Sequence, residues 1–176
     1  MNLMGYDLIL RDIEINDYKI LKEMINDPEI ESCVLGWSFP VNDEKQKNWI
    51  INRLDNNTLR LMIESKSYGV VGTIGLKDID FKNSVCSIYI KLASSAPKRK
   101  GIGYNAMKLL INYVFEELNL NLITAQVLEY NLPSLNLFNK LGFIEEATLR
   151  DRFYKKGKYH NIKVLSLKRK EFYCDK

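Results

Sequence analysis

The segment Lys98-Arg99-Lys100-Gly101-Ile102-Gly103-Tyr104 sets three consecutive cations before two closely spaced glycines, just ahead of an apolar run. A turn of this kind can hold an anion. The first N–H groups of a helix lack intrahelical acceptors, and the helix dipole adds partial positive charge there. Gly101 and Gly103 let the backbone approach a ligand with no Cβ in the way. The plainer alternative is a tight turn beside a solvated cationic face. The G-x-G-x-x-A spelling also fits a dinucleotide fingerprint, but the context does not. Pro97 interrupts any strand running directly into the turn, and only one parallel strand pair is foreseen where a doubly wound sheet needs several. No G-K-[ST] follows, which excludes a P-loop.

Other reactive side chains are few. His160 is the single histidine, and Cys33, Cys86 and Cys174 are widely spaced, so neither a metal nor a zinc site is expected. Cys86 lies in an apolar run and reads as a small buried hydrophobe. With 176 residues, 46% hydrophobic and 27% charged, the chain suits one globular domain over residues 1–176. The net charge of +4 suits a polyanionic ligand but is too small to require nucleic acid. No apolar run reaches the roughly 18 residues of a membrane span, and the start MNLMGYDLILRD has no signal-peptide pattern. A cytoplasmic protein without nucleic-acid or membrane partners is therefore expected, with a homodimer an open possibility.

These residues need elements to position them. Periodicity predicts strands over 8–13, 59–64, 69–79, 84–92, 122–128, 143–153 and 159–168. Helices are predicted from a cap at Asn16 or Asp17 to Asn26-Asp27-Pro28, over 43–54, over 102–118 and over 133–140. Residues 29–41 read as an irregular stretch. Short connections make the strands between 59 and 92 an antiparallel meander, whereas 84–128 is a strand-helix-strand unit with parallel strands. The class is α+β: a mixed, mostly antiparallel sheet of six to seven strands, in a three-layer α/β/α arrangement.

This order of elements, together with several motifs, resembles the GNAT superfamily of N-acetyltransferases, within its ribosomal-protein-alanine and spermidine-type branch. The motifs are Leu10-Arg11, Asn26-Asp27-Pro28-Glu29, Ser87-Ile88-Tyr89-Ile90, Lys98-x-x-Gly101-x-Gly103, Asn131-x-x-Ser134 followed by Lys140-Leu141-Gly142-Phe143, and Gly157-Lys158-Tyr159-His160. The resemblance implies acetyl-coenzyme A as co-substrate, its pyrophosphate held by the backbone N–H groups of residues 100–104 and the side chains around them. Lys98, Arg99, Lys100, Gly101, Ile102, Gly103 and Tyr104 would form this cradle. The pantetheine would lie where two parallel strands splay, along Ile88, Tyr89 and Ile90, with Asn131, Ser134, Phe138 and Lys140 from the following helix. For Asn131 a helix-cap role stands beside the ligand role.

Amine attack on a thioester needs a neutral amine, a stabilised carbonyl oxygen and a proton for the leaving thiolate. An alkyl ammonium with a pKa of about 10.4 is neutral roughly once in two thousand at pH 7, so a base or a desolvated pocket helps. Many family members carry a tyrosine acid where this chain has Phe138, which leaves Ser134 as the expected proton donor, with Asn139, water or Tyr130 as fallbacks. Glu31 or Glu29 is the expected base. Glu29, Glu31, Trp37, Tyr154 and His160 are expected to surround the acceptor. Residues 151–170 hold eight Lys/Arg against one Asp, which disfavours a polyamine. The expected activity is acetylation of a small primary amine of amino-sugar, polyamine or aminoglycoside type. The alternatives are N-terminal acetylation of a ribosomal protein, or coenzyme A binding with little catalysis.

Overall fold

A computed structural model describes residues 2–36, 38–53 and 55–174, the Cys174 side chain excepted. Eight strands form one sheet: β1 (Leu3–Gly5), β2 (Leu8–Asp12), β3 (Leu59–Ser65), β4 (Gly69–Asp80), β5 (Val85–Leu92), β6 (Leu122–Leu128), β7 (Ile144–Lys155) and β8 (Lys158–Lys168). Their order is β1-β2-β3-β4-β5-β6-β8-β7. All neighbours are antiparallel except β5 and β6. The expected class holds, with one strand more than periodicity resolved. Leu3–Gly5 is too short to show alternation. It pairs because Tyr6 and Asp7 both take positive φ, 54° and 66°, which makes a two-residue hairpin turn matched to strand twist.

The helices are α1 (Tyr18–Asn26), α2 (Pro28–Cys33), α3 (Asp43–Ile51), α4 (Ile102–Glu116), α5 (Leu132–Lys140) and α6 (Arg169–Cys174). Alternation along the central strands sends Leu61, Ile63, Ile74, Leu76, Ile88 and Ile123 to one face, against Ala106, Leu110 and Val114 of α4. Those three α4 residues recur every fourth position and are fully buried, so the helix stripe matches the sheet. The other face buries a smaller cluster of Ile13, Leu21, Ile50 and Met62 under α1 and α3. Among the described residues, no helix is long and apolar enough to cross a membrane.

Two readings change. Asp27-Pro28 does end α1, but residues 29–41 are not irregular throughout, because α2 starts at once. The Asp27 carboxylate accepts from the N–H groups of Glu29 and Ile30 and proline occupies the first turn, so a stop signal doubles as a start signal. α1 starts as expected, with Asp17 in the cap position before Tyr18, but the Asp17 carboxylate does not cap α1. It closes a preceding 3-10 turn by accepting from the Glu14 N–H at 2.8 Å and pairs with Arg11 at 2.8 Å. α3 stops at Ile51, and Leu54 lies outside the described residues.

Candidate functional site

β5 and β6 pair only at Val85–Leu122, Cys86–Ile123 and Ser87–Thr124. The Ser87 and Thr124 hydroxyls meet at 2.9 Å, and Thr124 also bonds the Cys86 carbonyl. Beyond this clasp the strands diverge, so one side of Ile88 to Leu92 faces no strand. An unpaired strand edge of this kind accepts an extended, amide-bearing ligand as it would accept a further strand. The resulting cleft has a volume of about 580 Å³. Its lining includes Ile88, Tyr89, Ile90, Asn131, Ser134 and Phe138, all foreseen from sequence.

The glycine turn lies just past the open end of β5. Gly101 caps α4 at φ 74°, a left-handed conformation that penalises any Cβ, and Arg99 shares it at φ 60°. Gly103 is different. A Cβ there would meet Leu137 and Leu92 at 3.6 Å, an ordinary contact, so the fold does not require a glycine. The N–H groups of residues 99–104 find no acceptor among the described residues, and Lys98, Arg99 and Lys100 are exposed and form no ion pair there. Six free donors and three free cations on one turn suit a pyrophosphate.

α5 presents its side chains to the cleft through its cap. The Asn131 Oδ1 accepts from the Ser134 N–H at 3.2 Å, while its Nδ2 donates to the Cys33 carbonyl at 3.0 Å. The cap role is therefore present, and it leaves one donor of the amide and one lone pair for a ligand. The Ser134 hydroxyl has no partner among the described residues and faces the cleft. Phe138 is 4% exposed and stacks edge-on against Phe143 at 4.9 Å, so it serves core and cleft together. Lys140 is exposed in the last turn of α5, away from the lining.

The acceptor side departs from expectation. Glu31 does not line the cleft. Its carboxylate pairs at 2.6 Å with Lys155, whose side chain is 5% exposed, and Lys155 also donates to the Glu31 carbonyl. This carboxylate joins α2 to the β7–β8 hairpin. Glu29 is exposed in the first turn of α2. Tyr154 is 60% exposed and packs on Tyr159, again outside the lining. His160 is buried because β8 lies between β6 and β7 and is not an edge strand. Its Nε2 meets the Lys155 carbonyl at 3.2 Å, and its ring packs 4.7 Å from that of Tyr130. Tyr130 in turn donates to the Ser32 carbonyl at 2.6 Å. Trp37 lies outside the described residues. Burial pushes the Cys86 thiol up to about 12, in keeping with its reading as a hydrophobe.

What sequence reasoning missed is the cleft floor. Thr73, Lys77 and Lys91 of β4 and β5 line it around the foreseen Tyr89, with Arg60 of β3 beside them. Period-2 alternation places Ser87, Tyr89 and Lys91 on one face, opposite the apolar Cys86, Ile88 and Ile90. That signal was available, but only the sheet order shows which face is open. Burial pushes the Tyr89 hydroxyl up to about 12. The Lys91 ammonium is held below the usual lysine range by burial first and then by the like charges of Lys77 and Lys155. Among the described residues there is no cluster of three metal-binding side chains.

Residues 7–144 match a family described as the acetyltransferase (GNAT) domain. An SPbeta prophage-derived uncharacterized N-acetyltransferase of Bacillus subtilis is 30% identical over 96% of this chain and 93% of its own. The uncharacterized N-acetyltransferase p20 of Bacillus licheniformis is 32% identical over 94% of each. Among solved structures, spermidine N-acetyltransferase from Vibrio cholerae in complex with CoA and spermine superposes with a TM-score of 0.87. It is 23% identical, with 96% of this chain and 99% of that chain covered.

Proposed function

The chain belongs to the GNAT acetyltransferase family and is an N-acetyltransferase, and we propose that it moves an acetyl group from acetyl-coenzyme A to a primary amine of a small molecule. The observation that carries the donor is the set of unpartnered N–H groups and cations at residues 98–104, placed beside a splayed strand edge. That arrangement fits an acyl carrier with a pyrophosphate at one end and an amide-bearing arm. The donor supplies a thioester carbonyl; the remaining work falls to side chains and backbone of this chain.

In the proposed step a new N–C bond forms as the C–S bond breaks. The amine loses a proton and the departing sulfur gains one. The Ser134 hydroxyl, free and facing the cleft, is the proposed proton donor to sulfur. Backbone N–H groups on the open side of β5 are proposed to stabilise the carbonyl oxygen as it gains negative charge. Because the Glu31 carboxylate is committed to Lys155, no side-chain base is assigned. Water would carry off the amine proton. The preference for a small acceptor over a protein N-terminus rests on the size of the strand-floored cleft, about 580 Å³.

We place residues 1–176 in a single catalytic unit of the cytoplasm, where the exposed Cys33 thiol stays reduced. We also propose self-association through β7, an edge strand whose neighbourhood exposes Ile144 at 54% and Tyr159 at 63%. Sedimentation should then give at least a dimer, whereas a monomer at high concentration would refute it. The central test is thiol release from acetyl-coenzyme A across an amine panel. Turnover of one or more small amines above hydrolysis is expected; binding without release by any amine or peptide would leave only a coenzyme A binder.

A further inference from the structure

Four cationic side chains, Lys45, Arg60, Lys77 and Lys91, line the cleft against one carboxylate, Asp78, among the described residues. Lys77 and Lys91 have no hydrogen-bond or ion-pair partner among those residues. Arg60 spends one nitrogen on the Arg53 carbonyl at 3.1 Å and lies 5.8 Å from the Trp49 ring. Lys77 is exposed, whereas Lys91 is partly buried, and a partly buried lysine with neither acceptor nor counter-ion is costly to keep charged; such groups are usually paired. The nearest ionic influences on Lys91 are further cations, Lys77 and Lys155. Lys155 already has its partner in Glu31.

The position of three of these charges separates them from the donor's phosphates, while Lys91 lies on β5 itself, near its open end. Lys45, Arg60 and Lys77 come from α3, β3 and β4, on the side of β5 away from β6. The splay and the glycine turn lie on the other side. These cations therefore face the half of the cleft where the acceptor enters. From this we propose that the acceptor is a small primary amine that also carries an anionic group, a carboxylate or a phosphate. Lys77 and Lys91 bind the anion, and Asp78 is the one lining carboxylate that can receive the ammonium end. The reading rests on the acetyltransferase assignment above and narrows its acceptor. It argues against a linear polyamine, whose several positive charges would meet unpaired lysines in a partly desolvated cleft.

The test uses the full chain, acetyl-coenzyme A and acceptors matched in shape. Amino acids are compared with their amides, amino-sugar phosphates with the parent amino sugars, and spermidine with both. A gain of about tenfold in kcat/KM for the anionic member of a pair is expected, the size of one moderately desolvated charge contact. The carboxylate and phosphate arms tell the two anion sources apart. Lys77→Met and Lys91→Met should each raise KM for the anionic acceptor by about tenfold. They should leave KM for its neutral partner and the affinity for coenzyme A unchanged, which shows that the variants fold. Preference for spermidine or for the uncharged partner, or equal losses on both members, would overturn the inference while leaving acetyl transfer standing. If the chain binds coenzyme A yet no amine of any charge is acetylated, the enzymatic assignment itself falls, and this inference with it.

Discussion

Ser134 and Gly103 are the two residues whose roles the local geometry isolates best. The Asn131 cap holds the Ser134 backbone N–H, not its hydroxyl, so Ser134→Ala preserves the cap. A fall in kcat of about 100-fold with little change in KM for acetyl-coenzyme A is expected, the usual loss on removing a general acid. Unchanged turnover would remove Ser134 from the chemistry. At Gly103 the expectation splits stability from binding. The helix gains up to about 1 kcal/mol when alanine replaces glycine, and the Cβ has room. Gly103→Ala should therefore melt no lower than the parent while losing about tenfold in coenzyme A affinity, because the added methyl stands where the ligand must approach. Gly101→Ala should instead lower stability by about 1–2 kcal/mol, since φ 74° disfavours any side chain. Calorimetry on the two variants separates a glycine kept for the ligand from one kept for the backbone.

Among the elements, α2 decides most about the acceptor side. It is a six-residue helix, too short to hold by propensity alone. Its C-terminal end is tied down by Tyr130 to Ser32, Asn131 to Cys33, and Lys155 to Glu31. Glu31→Gln leaves the buried Lys155 ammonium with only a carbonyl, so unfolding in urea should show a loss of about 1–3 kcal/mol. The double variant Glu31→Gln, Lys155→Met should recover part of that loss, because no unpaired charge is left. If the single and double variants lose equally, the pair does not anchor α2. The sequence pattern Asp27-Pro28 announced the end of α1 plainly. It held the start of α2 just as plainly, but a six-residue helix shows less than two turns of periodicity. The role of Glu31 could not be read in sequence at all, because its partner is 124 residues away.

For the molecule as a whole, Lys91 links stability to pH. Burial and the like charges of Lys77 and Lys155 depress its ammonium below the ordinary lysine range in the folded chain. The unfolded chain therefore binds more protons between the depressed value and about 10.4. Stability from this group should rise with pH through that window, and the penalty should be present in full below it. Lys91→Met should accordingly raise the melting temperature at pH 7 and flatten the increase toward pH 10. A variant that melts lower at pH 7, or keeps the slope, would show that the Lys91 ammonium is compensated in the folded chain.

The amino-acid sequence alone determined the class of the fold, the parallel crossover, the glycine turn and the α5 cap, and through them the half of the cleft proposed for the donor. Each of these depends on residues close together in the chain: glycine before an apolar helix, asparagine three residues before serine, alternation over seven or eight positions. Only the tertiary structure shaped the half of the cleft proposed for the acceptor. It set Lys77 and Lys91 on an open sheet face, enclosed His160 by running β8 inside β7, and withdrew Glu31 into an ion pair. The reason is physical. Phosphate binding uses backbone groups that one local conformation can present, whereas the charge of a cleft is a sum over strands brought together by long-range pairing.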